Sequence, residues 1–184
     1  MAHYDGAVNI DISSYDAWRS ATLNNSYDMD GFYGCQCWDY CAEFWYNTRH
    51  YVYPYLQTGP LGYAYECWTV SRAINAADQF ELITNLSGVK RGDVVVFNPL
   101  SGWIGTTGHI AFADEDYNGS GYLNILGQNQ SGHQYVDIFR EKTDSFLGAF
   151  RYKGWIGPTP PPHTPRKKKF PWYIYHNRRN SGIM

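Results

Sequence analysis

The sequence has no apolar run long enough to cross a bilayer as a helix. Nor does it open with a basic stretch followed by an apolar one, so Met1-Ala2-His3-Tyr4-Asp5-Gly6 does not read as a secretory leader. Synthesis in the cytoplasm without a signal peptide is the expectation. No internal repeat is visible, and no acid occurs after residue 144. Residues 1–144 carry all 17 acids against 7 bases, a net of −10, whereas residues 145–184 carry 8 bases and no acid, a net of +8. That division predicts an acidic folded body and a basic tail with a separate partner. There are only four cysteines, Cys35, Cys37, Cys41 and Cys67. With no leader, and in a chain of 184 residues, they do not suggest a disulfide framework. Cys35, Cys37 and Cys41 lack a second Cys pair or His cluster, so structural zinc is not expected.

What is present is an ordinary globular balance, 43% hydrophobic and 17% charged, with aromatics high at 18%. The 17 tyrosines suit either a tyrosine-rich core and surface or stacking against sugars or another flat ligand. Ser13 and Asp16 have capping-box spacing at the start of a first helix. Residues 24–34 are turn-rich and acidic and read as a loop. Trp38, Cys41, Phe44 and Trp45 recur at helical spacing, predicting a helix from Cys37 to about Tyr46. Residues 66–84 read as one or two further helices. Lys90-Arg91-Gly92-Asp93 is a turn, and Val94-Val95-Val96-Phe97 a buried strand. Strands are also predicted at 108–113, 121–126, 135–140 and 146–152. Helices followed by a meander of short strands give an α+β fold with an antiparallel sheet. Three parts result: a domain over 1–156, a Pro-rich extended linker over 157–165, and a basic aromatic tail over 166–184. The sequon Asn85-Leu86-Ser87 is read as chance.

Three short segments bear chemistry. Cys37 falls in the first turn of its helix, where the helix dipole is expected to lower the thiol pKa and favour thiolate. Cys35 precedes the helix, and Cys41 faces the core. His109 opens an apolar strand after Gly108 and is the natural base for Cys37. Asn129 stands just past a strand, where its amide is placed to orient the imidazole. A second pattern overlaps the first. Asp28, Asp30, Phe32, Gly34 and Asp39 occupy positions 1, 3, 5, 7 and 12 of a twelve-residue stretch, the spacing of an EF-hand calcium loop, with backbone carbonyls at 5 and 7. Gly at position 4 and Asp at position 12 depart from that pattern. Bound Ca2+ is expected to order the loop that delivers Cys37.

Residues 30–39 (Asp-Gly-Phe-Tyr-Gly-Cys-Gln-Cys-Trp-Asp), Arg91-Gly92-Asp93-Val94-Val95-Val96-Phe97, Gly108-His109-Ile110-Ala111 and Leu126-Gly127-Gln128-Asn129-Gln130 stand in a telling order. Over roughly residues 12–155 the chain resembles the CHAP family (cysteine, histidine-dependent amidohydrolase/peptidase) of the papain-like NlpC/P60 group. The resemblance implies N-terminal helices packed on an antiparallel sheet. It implies a nucleophile at Cys37, a base at His109, an orienting amide at Asn129, and an oxyanion-hole contribution from Gln36. Calcium in the loop before the nucleophile is also a property of some members. Many phage lysins of the family carry Glu two residues before the Asn, where this sequence has Gly127.

The implied activity is hydrolysis of an amide bond in bacterial peptidoglycan, either as an N-acetylmuramoyl-L-alanine amidase or as an endopeptidase. A phage endolysin, released through a holin lesion, or a virion-associated lysin would act this way at the cell wall. The other reading is a non-catalytic phage tail or wall-binding module with the same fold. Virion or tail proteins, wall polymers or a membrane surface are the candidate partners of the tail. No nucleic-acid partner and no transmembrane segment are expected.

Overall fold

The computed structural model describes residues 8–50, 52–99 and 106–155. The linker and tail assigned to 157–184 lie outside the described residues. Three helices precede or flank a six-stranded, fully antiparallel sheet of order β1-β6-β2-β3-β4-β5. The elements are α1 (Tyr15–Thr22), α2 (Cys37–Arg49), α3 (Glu66–Ala76), β1 (Phe80–Ile83), β2 (Val94–Phe97), β3 (His109–Ala113), β4 (Tyr122–Gly127), β5 (Asp137–Lys142) and β6 (Phe146–Tyr152). Strands β2 to β5 form the expected meander. β6 then returns to the other side of β2. No described helix is long and apolar enough to cross a membrane.

Three local expectations need correction. Ser14, not Ser13, caps α1 and accepts the Ala17 N–H; the Ser13 N–H instead donates to Asp11. α2 runs to Arg49, three residues beyond the predicted end, and stops at His50 in the left-handed region. The segment 66–84 is not wholly helical. α3 ends at Ala76, and Phe80–Ile83 pairs with β6 as an edge strand. Phe80 there stacks on Trp45 of α2, ring centroids 4.6 Å apart. Sheet pairing and this aromatic contact override the local helical preference.

The core is aromatic. Phe44 of α2 sits edge-on to Trp18, Trp45, Phe112 and Tyr152 at 5.1–5.9 Å. Trp18 stacks on Tyr40, which meets Phe112 edge-on. Tyr15, Tyr27 and Tyr40 are therefore core residues, while Tyr33, Tyr53, Tyr122 and Tyr135 are exposed. Alternation along the strands sends Val94, Val96, Ile110 and Phe112 into this core and Val95, Phe97, Ala111 and Ala113 into a second apolar cluster. The turn before β2 is a structural knot. Arg151 grips buried Asp93 through two hydrogen bonds of 2.8 Å, and Arg91 bonds Asp16, the Asp114 carbonyl and, through its backbone N–H, Asp116. Asn85 caps a 3-10 turn by accepting from Ser87.

Candidate active site

Cys37 is the first residue of α2, and His109 is the first residue of β3. The helix packs against that strand. Near the Cys37 sulfur lie the backbone N–H groups of Ile110, the residue after His109, of Trp38 and of Cys37 itself, all of which favour the thiolate. Both side chains are nearly enclosed, at 8% and 7% exposure. Enclosure shifts both titrations toward the neutral forms. Burial pushes the Cys37 thiol up to about 11, against the lowering effect of those three N–H groups. This reverses the helix-dipole expectation: desolvation of the thiolate outweighs the favourable helix end. Burial also lowers His109 to about 4, while its contact with Gln130 pulls the other way. At neutral pH the thiol and the imidazole are therefore both neutral. The four cysteines are free thiols; Cys41 and Cys67 are fully buried, and burial likewise raises Cys35.

Gly108 lets β3 begin where it does. Its φ is +70°, and a Cβ there would lie 2.5 Å from the Phe97 carbonyl oxygen and 2.7 Å from Tyr65 Cβ. The Tyr65 N–H donates to the Thr107 carbonyl, closing α3 onto the same corner.

The segment after β4 ties the nucleophile loop to the sheet. Buried Gln128 accepts the Tyr27 N–H at 2.8 Å and donates from Nε2 to the carbonyls of Tyr27 and Gln36, at 2.7 and 2.9 Å. Asn129 adopts φ +57° and donates from Nδ2 to Gln36 Oε1 at 2.9 Å. The contact to the imidazole comes from the next residue: Gln130 Oε1 lies 3.2 Å from His109 Nε2. The structure thus puts Asn129 on Gln36 and gives the imidazole to Gln130, in place of the Asn129–His109 contact expected from the sequence. The reason is backbone geometry. The left-handed turn at Asn129, a conformation Asn tolerates, sends successive side chains in different directions. Gln36 itself is engaged, donating from Nε2 to the Tyr33 carbonyl at 2.7 Å. Gln128, Gln130 and Asp137 carry contacts that the motifs do not display. The polar run Gly-Gln-Asn-Gln at the end of an apolar strand was the available signal.

The calcium-loop pattern brings three acids together. Carboxylate oxygens of Asp28, Asp30 and Asp39 lie within 4.8 Å of one another, the one such acid cluster among the described residues. Asp39 is buried and accepts from the N–H groups of Met29 and Gln36, both at 2.8 Å. Burial raises its carboxyl to about 7, with Asp30 and Asp28 adding to the effect. The loop turns through left-handed Gly31, Tyr33 and Gly34, so Phe32 and Gly34 sit on the same tight bend as the acids.

Comparison with known proteins gives the family and the fold. Residues 25–129 match the CHAP domain. A D-alanyl-L-alanine endopeptidase of Streptococcus phage B30 is 31% identical over 121 residues, 66% of this chain and 26% of that protein. The chain therefore spans about a quarter of the length of that curated relative. Among solved structures, the endolysin LysIME-EF1 superposes with a TM-score of 0.53 at 21% identity, over 76% of this chain and 64% of the other. Ly7917 does so with a TM-score of 0.54 at 15% identity, over 77% and 62%. These two show the α+β sheet-and-helix fold. With its Cys and His motifs inside the matched span, the chain belongs to the CHAP domain family.

Proposed function

We propose that this chain is a cysteine-dependent peptidoglycan hydrolase of phage-lysin type. The observation that carries it is the enclosed Cys37 at a helix N-terminus, placed against the strand that begins with His109. His109 takes the thiol proton on Nδ1, the nitrogen not engaged by Gln130. Sulfur attacks the amide carbonyl and forms a tetrahedral oxyanion. The Cys37 N–H has no acceptor within its own helix, as a first-turn donor, and faces the developing charge. Gln36 joins it once its Nε2 leaves the Tyr33 carbonyl. His109 then protonates the leaving amine, the C–N bond breaks, and water hydrolyses the thioester. Because the resting pair is neutral, proton transfer accompanies attack instead of preceding it.

The phage B30 relative is named for cleavage between D-Ala and L-Ala, so an endopeptidase cut in the cross-bridge is the first candidate, ahead of amidase cleavage at the sugar. Mass spectrometry of fragments from purified Gram-positive walls tests both. Stem peptides still attached to their sugar, with a free alanine amine at the end of the cross-bridge, support the endopeptidase. Free stem peptides beginning at L-Ala support the amidase, and intact walls overturn the proposal.

Asp28, Asp30 and Asp39 would hold a calcium ion, with carbonyls of Phe32 and Gly34 as further donors. The ion would neutralise the cluster and stiffen the loop into α2. The cluster predicts its own pH signature. The folded chain holds the Asp39 proton more tightly than the unfolded chain does, so without calcium stability falls as pH rises from about 4 to about 7. With allowance for solvent screening the loss is roughly 2 kcal/mol. Buried Glu43, raised to about 7, acts in the same direction. Calcium should raise Tm at pH 8 by several degrees and leave it unchanged at pH 4.5; Asp30→Ala should lose that response.

The basic tail suits an anionic wall polymer, given its net positive charge. Removing residues 157–184 should then lower pelleting with walls, and added salt should lower it in the full chain.

A further inference from the structure

The mechanism needs a group that holds the His109 ring. The sequence pattern offers Asn129, but Asn129 is turned to Gln36. Gln130 is buried beside the imidazole, with Oε1 3.2 Å from His109 Nε2. Its amide nitrogen faces two acceptors, donating to the Asp137 carbonyl at 2.9 Å and to Asp137 Oδ1 at 2.8 Å. A flipped amide would set its oxygen against both of these oxygens, so one orientation alone satisfies the site. That orientation presents an acceptor to His109, and Nε2 must therefore carry the hydrogen. Nδ1 is left with a lone pair, as a base requires.

Asp137 is itself fixed. It opens β5 opposite Gly127 in the sheet register, and its Oδ2 lies 2.6 Å from His133 Nδ1. Gly127 keeps the space open: a Cβ there would lie 2.8 Å from Gln130 Oε1 and 3.4 Å from His109 Nε2. A glycine at the end of β4 is what allows the Gln130 amide to reach the ring.

We propose that Gln130, with its amide held by Asp137, is the positioning residue that fixes the orientation and tautomer of His109. This rests on the thiol-hydrolase reading above. The full chain would be studied in two ways: histidine-selective 15N NMR at pH 7, and wall-clearing kinetics. In the wild type His109 should appear as the Nε2–H tautomer. Gln130→Ala should mix the tautomers and lower kcat about 10²-fold, with KM changed less than about threefold, because a misoriented base costs the chemical step and not wall binding. Gln130→Glu alone should be impaired to a similar extent, since its second oxygen meets both the Asp137 carboxylate and the Asp137 carbonyl, of which only the first can be exchanged for a donor. Adding Asp137→Asn supplies a donor to that oxygen and should restore at least tenfold of the lost kcat, roughly half of the deficit on a logarithmic scale. A purely structural role for Gln130 would give no such rescue. An Nδ1–H tautomer in the wild type, or Gln130→Ala with kcat within about threefold of wild type, overturns the proposal. If Gln130→Ala does not fold, the wild-type tautomer and the Glu/Asn exchange decide. Failure of the hydrolase reading looks different: wild type does not clear walls, or Cys37→Ala clears them equally well, while the tautomer still reports on Gln130.

Discussion

Cys37→Ala is expected to lower wall clearing by roughly 10³-fold or more, with little change in wall binding. The loss is that of the nucleophile itself, since no neighbouring thiol can replace it: Cys41 and Cys67 are fully buried and Cys35 precedes the helix. The wild-type pH profile should be equally diagnostic. With His109 lowered to about 4, the imidazole is a competent base above that pH. Protonation below it removes the acceptor for the thiol proton, so kcat/KM should fall on the acid side with an apparent pKa near 4. Between about pH 5 and pH 9 the profile should be flat, because Cys37 stays protonated up to about 11. Alkylation by iodoacetamide at pH 7 should correspondingly be slow. Fast alkylation at neutral pH, or an alkaline limb well below pH 11, would show a thiolate–imidazolium pair instead.

Gly108→Ala should cost roughly 2–5 kcal/mol of stability and most of the activity. Two penalties add. The left-handed φ of +70° strains any L-residue, and the new Cβ would press on the Phe97 carbonyl and the Tyr65 side chain. Neither neighbour is a free side-chain end; Phe97 pairs with His109 in the β2–β3 ladder. Relief requires the start of β3 to move, and His109 is its first residue. Chemical denaturation and clearing rates check both effects. Gly121→Ala is the control: it also has a positive φ, +77°, but meets nothing within 4 Å, so only the conformational strain remains and activity should persist.

Much of the site was legible because its parts are local. A thiol at a helix start, a His after Gly at a strand start and a polar run at a strand end each leave a signature within a few residues. Their order gave the family, now shown by the match over residues 25–129. The acidic spacing at 28–39 likewise anticipated which carboxylates converge. Local signals failed where the deciding partner was distant. Phe80–Ile83 became a strand because β6, some seventy residues later, offered it an edge.

The sequence by itself therefore determined the α+β class, the nucleophile and base candidates and the acidic loop, since residue type and short-range periodicity suffice for these. Tertiary structure alone decided two matters. Enclosure between α2 and β3 set the protonation of Cys37 and His109, because desolvation depends on everything packed around a group and outweighs the helix end that the sequence displays. The backbone turn at Asn129, with Asp137 brought opposite Gly127 by the β4–β5 register, decided which amide meets the imidazole. Adjacent residues in a left-handed turn point apart, and no spacing rule says which of them faces His109.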